Sequence, residues 1–307
     1  MIKTTAVLLL AILALFGQHK AVAQSCLPAP SGLVNWWPAD GHTNDVVTGV
    51  KGTLHNGATF ASGKVGQAFS FDGINDYATF GTTAGNFGTN DFTVELWMKI
   101  SQTKAGGVYI LSKRQTCGNG SYWNITMDGN GVVGLEVEND LSGSTIRVMN
   151  STNSISDGDF HHVVFRRAST NLSLWVDGVM HALTNAPVIY NFSNSGNLMA
   201  ANGPCVGSNG SSLFAGQLDE ISFYNRALTL AEMQALYAAG SSGKCKSLAI
   251  TSPSVLPGGT SGAAYSYSLS SDGSAPFAYS LISGALPEGL SLASSGTISG
   301  VPTAGFF

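Results

Sequence analysis

The stretch "FTVELWMKI" alternates strictly. Phe92, Val94, Leu96, Met98 and Ile100 fall on one side, and Thr93, Glu95, Trp97 and Lys99 on the other. A repeat of two residues is what a strand with one buried face requires, and no helix accommodates it. "LSLWVDG" repeats the pattern, with Leu172, Leu174 and Val176 set against Ser173, Trp175 and Asp177. It runs into Asp177-Gly178, a strong hairpin turn, and "DGNG" at Asp128 to Gly131 is another. From about Leu33 to Tyr224 short strands and turns follow one another, which predicts an all-β, two-sheet antiparallel sandwich. A chain with 38 glycines and only 10% charged residues fits that reading. Without a basic block, nucleic acid is not an expected partner.

One helix is legible. Thr229 with Glu232 three residues on makes a capping box, Leu230, Met233, Leu236 and Tyr237 recur at helical spacing, and Gly240 stands where a C-terminal cap belongs.

The first residues read as a targeting segment, 1–23. Lys3 precedes the apolar run "TAVLLLAILALFG", too short to span a bilayer, and Ala21-Val22-Ala23 forms a cleavage signal. Removing Lys3 and Lys20 takes the basic residues from 14 to 12 against 18 acidic ones, a formal charge of −6. The expected protein is exported, either secreted or held at a bacterial cell surface, with no membrane span after cleavage. Export permits disulfides. Cys26, Cys117, Cys205 and Cys245 allow three pairings. Cys26 and Cys245 bracket the first domain, taken as 26–245, and domain ends tend to lie close together. The favoured pairings are therefore Cys26–Cys245 and Cys117–Cys205.

After Cys245 the composition turns to Ser, Gly and Pro. Alternation at Tyr265, Tyr267 and Leu269, and again at Leu290 and Leu292, predicts a second small β domain over 248–307. That length is short for a complete sandwich of this kind, so the expectation is a partial domain in a longer protein.

Five motifs occur in a recognisable order: "GLVNWWPADGHTNDVVTGVKGTLHNGATFASGKVGQAFSFDGINDYATF", "FTVELWMKI", "DGDFHHVVFRR", "LSLWVDGV" and "FAGQLDEISFYNRALTLAEMQALY". Together they resemble the bacterial laminin G-like, concanavalin A-like jelly-roll domains over roughly residues 30 to 240. "LPEGLSL" and "GTISGVPTAG" are similar to immunoglobulin-like repeats of large bacterial surface proteins. The resemblance implies a jelly roll, often with a calcium ion, in an extracellular multidomain protein. It does not imply catalysis, and the fold hosts many roles.

The candidate sites follow from residue chemistry. In "LDEISFYN" a regular strand puts Asp219 on the face of Ile221 and Phe223, and Glu220 with Ser222 and Tyr224 facing solvent. A buried Asp219 needs hydrogen bonds or a cation. Asp40, Asn44 and Asp45 offer oxygens of the kind calcium takes, in a loop that the resemblance implies lies near the last strand. The competing reading is that Asp219 caps backbone amides at a strand end and that Asp40 and Asp45 sit in turns, where Asp is favoured. The loop "DGINDYATF", Asp72 to Phe80, is read as a turn. Glu136, Glu138 and Asp140 lie at alternate positions, as the acids of retaining β-glucanases do, but a solvated strand face gives the same pattern. His161 and His162 are adjacent, so they face opposite ways in a strand and cannot share a metal. Tyr122 and Trp123 are candidate rings for stacking on a sugar, unless Trp123 packs in the core. The expected function is noncatalytic recognition, by glycan binding or adhesion, of an extracellular glycan or protein, with calcium as a candidate ion. The alternatives are an accessory domain of a secreted glycosidase and a structural spacer.

Overall fold

A computed structural model describes residues 26–303 other than 119, 140–145, 187–188, 208–210, 247–251, 253–254, 272–278 and 282–284. The targeting segment 1–23 and Asp140 lie outside the described residues. Leu27–Lys244 forms one compact unit, and the residues from Cys245 onward belong to a second. Among the described residues no helix is long and apolar enough to cross a membrane.

The strands of the first unit are, in chain order, β1 (Leu33–Trp37), β2 (Thr53–His55), β3 (Thr59–Ser62), β4 (Gln67–Asp72), β5 (Tyr77–Thr79), β6 (Phe92–Gln102), β7 (Val108–Lys113), β8 (Ser121–Met127), β9 (Val133–Asn139), β10 (Ile146–Asn150), β11 (His161–Ala168), β12 (Asn171–Val176), β13 (Val179–Asn185), β14 (Leu198–Ala200), β15 (Ser212–Leu213) and β16 (Ala215–Tyr224). One sheet runs β13-β12-β11-β6-β16-β4-β3 with β1 also on β16, and the other runs β10-β9-β8-β7-β14-β5-β2 with β15 on β7. The chain passes from one sheet to the other at β1 to β2, β2 to β3, β4 to β5, β5 to β6, β6 to β7, β10 to β11, β13 to β14 and β15 to β16. This is the jelly roll that the alternation and the motif order predict.

The alternation decides what the sandwich encloses. Phe92, Val94, Leu96 and Met98 from one sheet and Trp123, Ile125 and Met127 from the other are all buried in a single core. Aromatic pairs give it specific geometry: Phe87 stacks on Phe92 with centroids 4.0 Å apart, and Trp123 meets Phe223 edge-on at 5.8 Å. On the outer face of the first sheet lies α1 (Leu230–Ala239), capped by Thr229 with both hydrogen bonds of the capping box present. It buries Met233 and Leu236 against Val164, Tyr224 and Leu228. Leu230 and Tyr237 of the predicted stripe remain exposed at 49% and 39%, Tyr237 with one ring face stacked beside Trp97.

Both favoured disulfides form, Cys26–Cys245 across 219 residues and Cys117–Cys205 across 88. Loops of this size contribute up to about 5 kcal/mol each in the chain-entropy account.

In the second unit, β17 (Tyr265–Ser268), β18 (Leu290–Leu292) and β19 (Thr297–Gly300) pair antiparallel in the order β17-β19-β18. Tyr265 and Tyr267 are more buried than Ser266 and Ser268, as their alternation predicts, and Ile298 is buried.

Candidate functional site

The predicted site residues are placed mostly in the scaffold. The β16 strand is not regular. Asp219 pairs with Trp97 and Ser222 with Glu95, so three residues of β16 span two of β6. This bulge puts Glu220 at φ 56° and moves Asp219 onto the face of Trp97, away from Ile221. Glu220 is therefore not solvent-facing. It is 1% exposed, and the Lys244 ammonium lies 2.9 Å from its Oε2 and 2.9 Å from Glu95 Oε1. His162 Nε2 adds a 3.0 Å contact to the other Glu95 oxygen. The result is a buried ionic knot beside α1, which pins the chain just ahead of Cys245. Burial pushes the Glu95 carboxyl up, but Lys244 and His162 outweigh it and hold it at about 2.

Asp219 is buried, and its Oδ2 accepts the Val65 N–H at 2.8 Å. Burial, reinforced by the Glu220 carboxylate, pushes its carboxyl up to about 8. The folded state thus keeps a proton that the unfolded chain loses near its ordinary value of 3.8, and stability falls as pH rises between the two. Asp219→Asn keeps the acceptor and removes the titration. It is expected to match the parent at pH 4 and to be more stable by at least about 1 kcal/mol at pH 8, read from urea midpoints.

Asp40, Asp45 and Asp219, the acids among the four predicted calcium ligands, each accept a backbone N–H. Asp40 and Asp219 do meet a common turn, but Asp40 Oδ1 accepts the Gln67 N–H at 2.8 Å while Asp219 accepts that of Val65. Asp45 is fully buried and spends both oxygens on donors: Trp36 N and Val47 N on Oδ1, Asn35 Nδ2 and Thr48 Oγ1 on Oδ2. Asp45, satisfied by N–H and O–H groups on both oxygens, has little left for a cation, whereas Asp219 Oδ1 is buried and has no hydrogen-bond partner among the described residues. Among the described residues no three acidic, His or Cys side chains converge as a metal set. Asp40, Asp45 and Asp219 act as caps of backbone amides, and no step is assigned to calcium.

Tyr122 and Trp123 are not a ligand platform. They sit on β8, in a strand and not in a loop, and are 2% and 0% exposed. Trp123 is a core residue, and Tyr122 lies under the Arg114 guanidinium at 3.8 Å. Glu136 accepts from Tyr122 Oη at 3.1 Å and from Asn124 Nδ2 at 3.1 Å, with Arg114 3.6 Å away, so it anchors this face. His161 and His162 do point apart. His161 binds Asp177 at 2.7 Å and Asp157 at 3.0 Å, which hold it up at about 9.

A cleft of about 640 Å³ lies elsewhere, lined by Val34 and Asn35 of β1, by Asn225 just past β16, and by Thr83, Gly85, Asn86, Phe87, Asn90 and Asp91 from the loop between β5 and β6. That volume is typical of small-ligand sites. The sequence "GTTAGNFGTND" carries the signal that reveals it: every residue but Phe87 is polar or small, and the stretch is long for a connection between strands.

Three buried side chains hold this loop by its carbonyls. Lys113 Nζ donates to Thr82 O at 2.6 Å and to Gly196 O at 2.6 Å. Trp123 Nε1 donates to Gly85 O at 2.9 Å. Arg167 donates to Gly88 O at 3.0 Å, to Asn90 O, and to Tyr190 O at 2.5 Å. Burial pushes Lys113 down to about 8 and Arg167 down to about 10. Gly85 has φ 78°, and a side chain there would come within 2.9 Å of the Trp123 ring. Asn86 is fixed at both ends, giving to Thr82 O and accepting from Asn194 N. Thr83, Asn90 and Asn225 carry side chains with no internal hydrogen bond among the described residues, and Asp91 uses only Oδ1, on Ser169 N. A rigid loop therefore presents uncommitted amide, hydroxyl and carboxylate groups around the apolar floor of Phe87 and Val34.

The described residues thus form a two-sheet sandwich with a cleft at the β5–β6 loop. Sequence comparison agrees in class. The profile of the concanavalin A-like lectin/glucanases superfamily matches residues 72–234, just over half of the chain, and an Ig-domain profile matches residues 248–305. The chain belongs to the concanavalin A-like lectin/glucanases superfamily. No curated protein matches the sequence. Among solved structures it is similar to domain 4 of AbnA, an extracellular arabinanase of Geobacillus stearothermophilus in complex with arabinotriose, at 17% identity and TM-score 0.54, covering 66% of this chain and 97% of that one. It is also similar to the binding domain of botulinum neurotoxin DC in complex with SialylT, at 10% identity and TM-score 0.53, covering 68% of this chain and 52% of that one. The binding domain of Paraclostridial Mosquitocidal Protein 1 matches at 15% identity and TM-score 0.53, covering 66% of this chain and 52% of that one. The chain thus spans about half of each toxin domain. At these identities the likeness is one of fold.

Proposed function

We propose that this protein is an exported, noncatalytic recognition module that binds an extracellular glycan, in an adhesive role, through the cleft between the β5–β6 loop, β1 and Asn225. The observation that carries the reading is the loop itself. Two buried cations and a tryptophan are committed to fixing its backbone, while the side chains of Asn90, Asn225 and Thr83 are left without partners among the described residues. Amides and hydroxyls pair with sugar hydroxyls as donor and acceptor at once, and an apolar floor takes a ring face. Rigidity matters because ordering a loop on binding costs affinity. The concanavalin A-like fold and the sugar-bound arabinanase domain agree with this role. The Glu136 carboxylate, held by Tyr122, Asn124 and Arg114, supports the noncatalytic part.

The test is glycan-array and calorimetric binding by the full chain with its disulfides intact. Asn90→Ala and Asn225→Ala are each expected to weaken the best ligand about five- to tenfold, the effect of one lost hydrogen bond, without moving the melting temperature. Chelator is expected to leave binding unchanged. Binding that ignores both substitutions would place the ligand elsewhere. Binding abolished by chelator would restore a calcium-bridged mechanism.

A further inference from the structure

We infer that the cleft selects uncharged glycans and that Asp91 is the residue that excludes acidic ones. The inference rests on the cleft being the glycan site and specifies its ligand class. Recognition of a carboxylate or sulfate needs charge-assisted donors at contact distance. None lines the cleft: its polar side chains are Thr83, three asparagines of the rim and floor, Asn225 and Asp91. The cations nearby are turned away. Lys113 is 0% exposed and gives its protons to Thr82 O and Gly196 O. Arg167 is 1% exposed and gives its own to Tyr190, Gly88 and Asn90 carbonyls. Arg166, whose charge Asp91 also feels, donates to Leu228 O at 2.7 Å, and Arg226 is paired with Glu232 at 2.5 Å. The one ionised group at the ligand surface is Asp91, exposed, with Oδ2 uncommitted.

An anionic sugar entering the cleft therefore loses its water and meets a carboxylate, while a neutral sugar offers Asp91 a hydroxyl to accept from. Repulsive groups of this kind set specificity as much as attractive ones do. The same carboxylate is well placed to stay: Ser169 N donates to its Oδ1 at 2.6 Å and fixes its direction.

The experiment compares, for the full chain, a neutral oligosaccharide found by the array with the same oligosaccharide capped by sialic acid, a uronic acid or sulfate. The capped forms are expected to bind at least about tenfold more weakly, as a like charge at partly screened contact distance dictates. Raising NaCl from about 20 to about 500 mM is expected to narrow that gap, since salt screens repulsion. Asp91→Asn, which keeps the acceptor for Ser169 N, is expected to narrow it at least about fivefold. Because that substitution changes charge with little change of shape, a gap that it leaves intact would overturn the role of Asp91. Acidic glycans that bind as tightly as neutral ones, with affinity still sensitive to Asn90→Ala, would overturn the charge selection and leave the cleft as the site. Binding of either class that ignores Asn90→Ala and Asn225→Ala would overturn the cleft reading and this inference with it.

Discussion

Lys244→Met is expected to destabilise the first unit by about 3–5 kcal/mol, the effect of removing one partner from a buried ionic group. In a unit of this size that corresponds to a fall of about 10 °C in Tm. Lys244 is 3% exposed and lies 2.9 Å from both Glu95 and Glu220, which are each 1% exposed. The substitution roughly preserves volume, and what it removes is the ammonium that lies over the Trp36 ring and that alone, among the described residues, faces these two buried carboxylates. The pH dependence identifies the cause. With Lys244 present, Glu95 titrates at about 2, below its ordinary value of 4.5, so its stabilising contribution is complete above 4.5 and is lost only as pH falls through about 2. Without Lys244 the carboxyl is no longer held down, and it takes a proton at mildly acidic pH. The deficit of the variant is therefore expected to be largest at neutral pH and to shrink toward pH 4. Adding Glu95→Gln and Glu220→Gln to Lys244→Met is expected to recover most of the loss, because an uncharged buried set has no unpaired charge. Urea midpoints of parent, single and triple variants at pH 4 and 7 check all three statements, and a deficit independent of pH would show a packing effect.

Much of the sandwich can be read from side chains because alternation reports burial directly. "FTVELWMKI" names its buried face residue by residue, and the capping box at Thr229 and Glu232 names the helix start. The same logic fails at Asp219. One inserted residue in β16 reverses the faces, and the backbone of Glu220, in the left-handed region without being glycine, leaves no mark in the sequence. The aromatic candidates fail for a related reason. "GSYWNI" follows a cysteine and glycines, but Tyr122 and Trp123 already belong to β8, where either face is covered. The cleft is legible only as an unusually long polar connection. Its chemistry is hidden because the groups that shape it meet backbone carbonyls. Lys113 and Arg167 look like solvated strand-end cations, and their acceptors, Thr82, Gly196, Gly88, Asn90 and Tyr190, act through oxygens that every residue type carries.

Arg167→Met tests the link between that hidden scaffold and binding. The guanidinium lies within 5.1 Å of both the Phe92 and Phe192 rings, so methionine retains much of the packing. It cannot donate, and the carbonyls of Tyr190, Gly88 and Asn90 lose a shared donor. Leaving buried acceptors unpaired costs about 1–3 kcal/mol each, but Gly88 O keeps the Phe192 N–H at 3.1 Å and the loop can move the others to water. A loss of about 3 kcal/mol is therefore expected, together with weaker glycan binding. Arg167→Lys separates the two consequences. It restores a positive charge and one or two donors but not the planar fork that reaches three carbonyls at once. Lysine is expected to recover more stability than affinity, since affinity depends on Asn90 being held by its own carbonyl. Hydrogen exchange supplies the direct measure: amides of residues 83–91 are expected to lose protection in both variants while those of β6 and β11 keep theirs. If the loop stayed protected and affinity fell only in proportion to stability, Arg167 would be a core residue without a part in shaping the cleft.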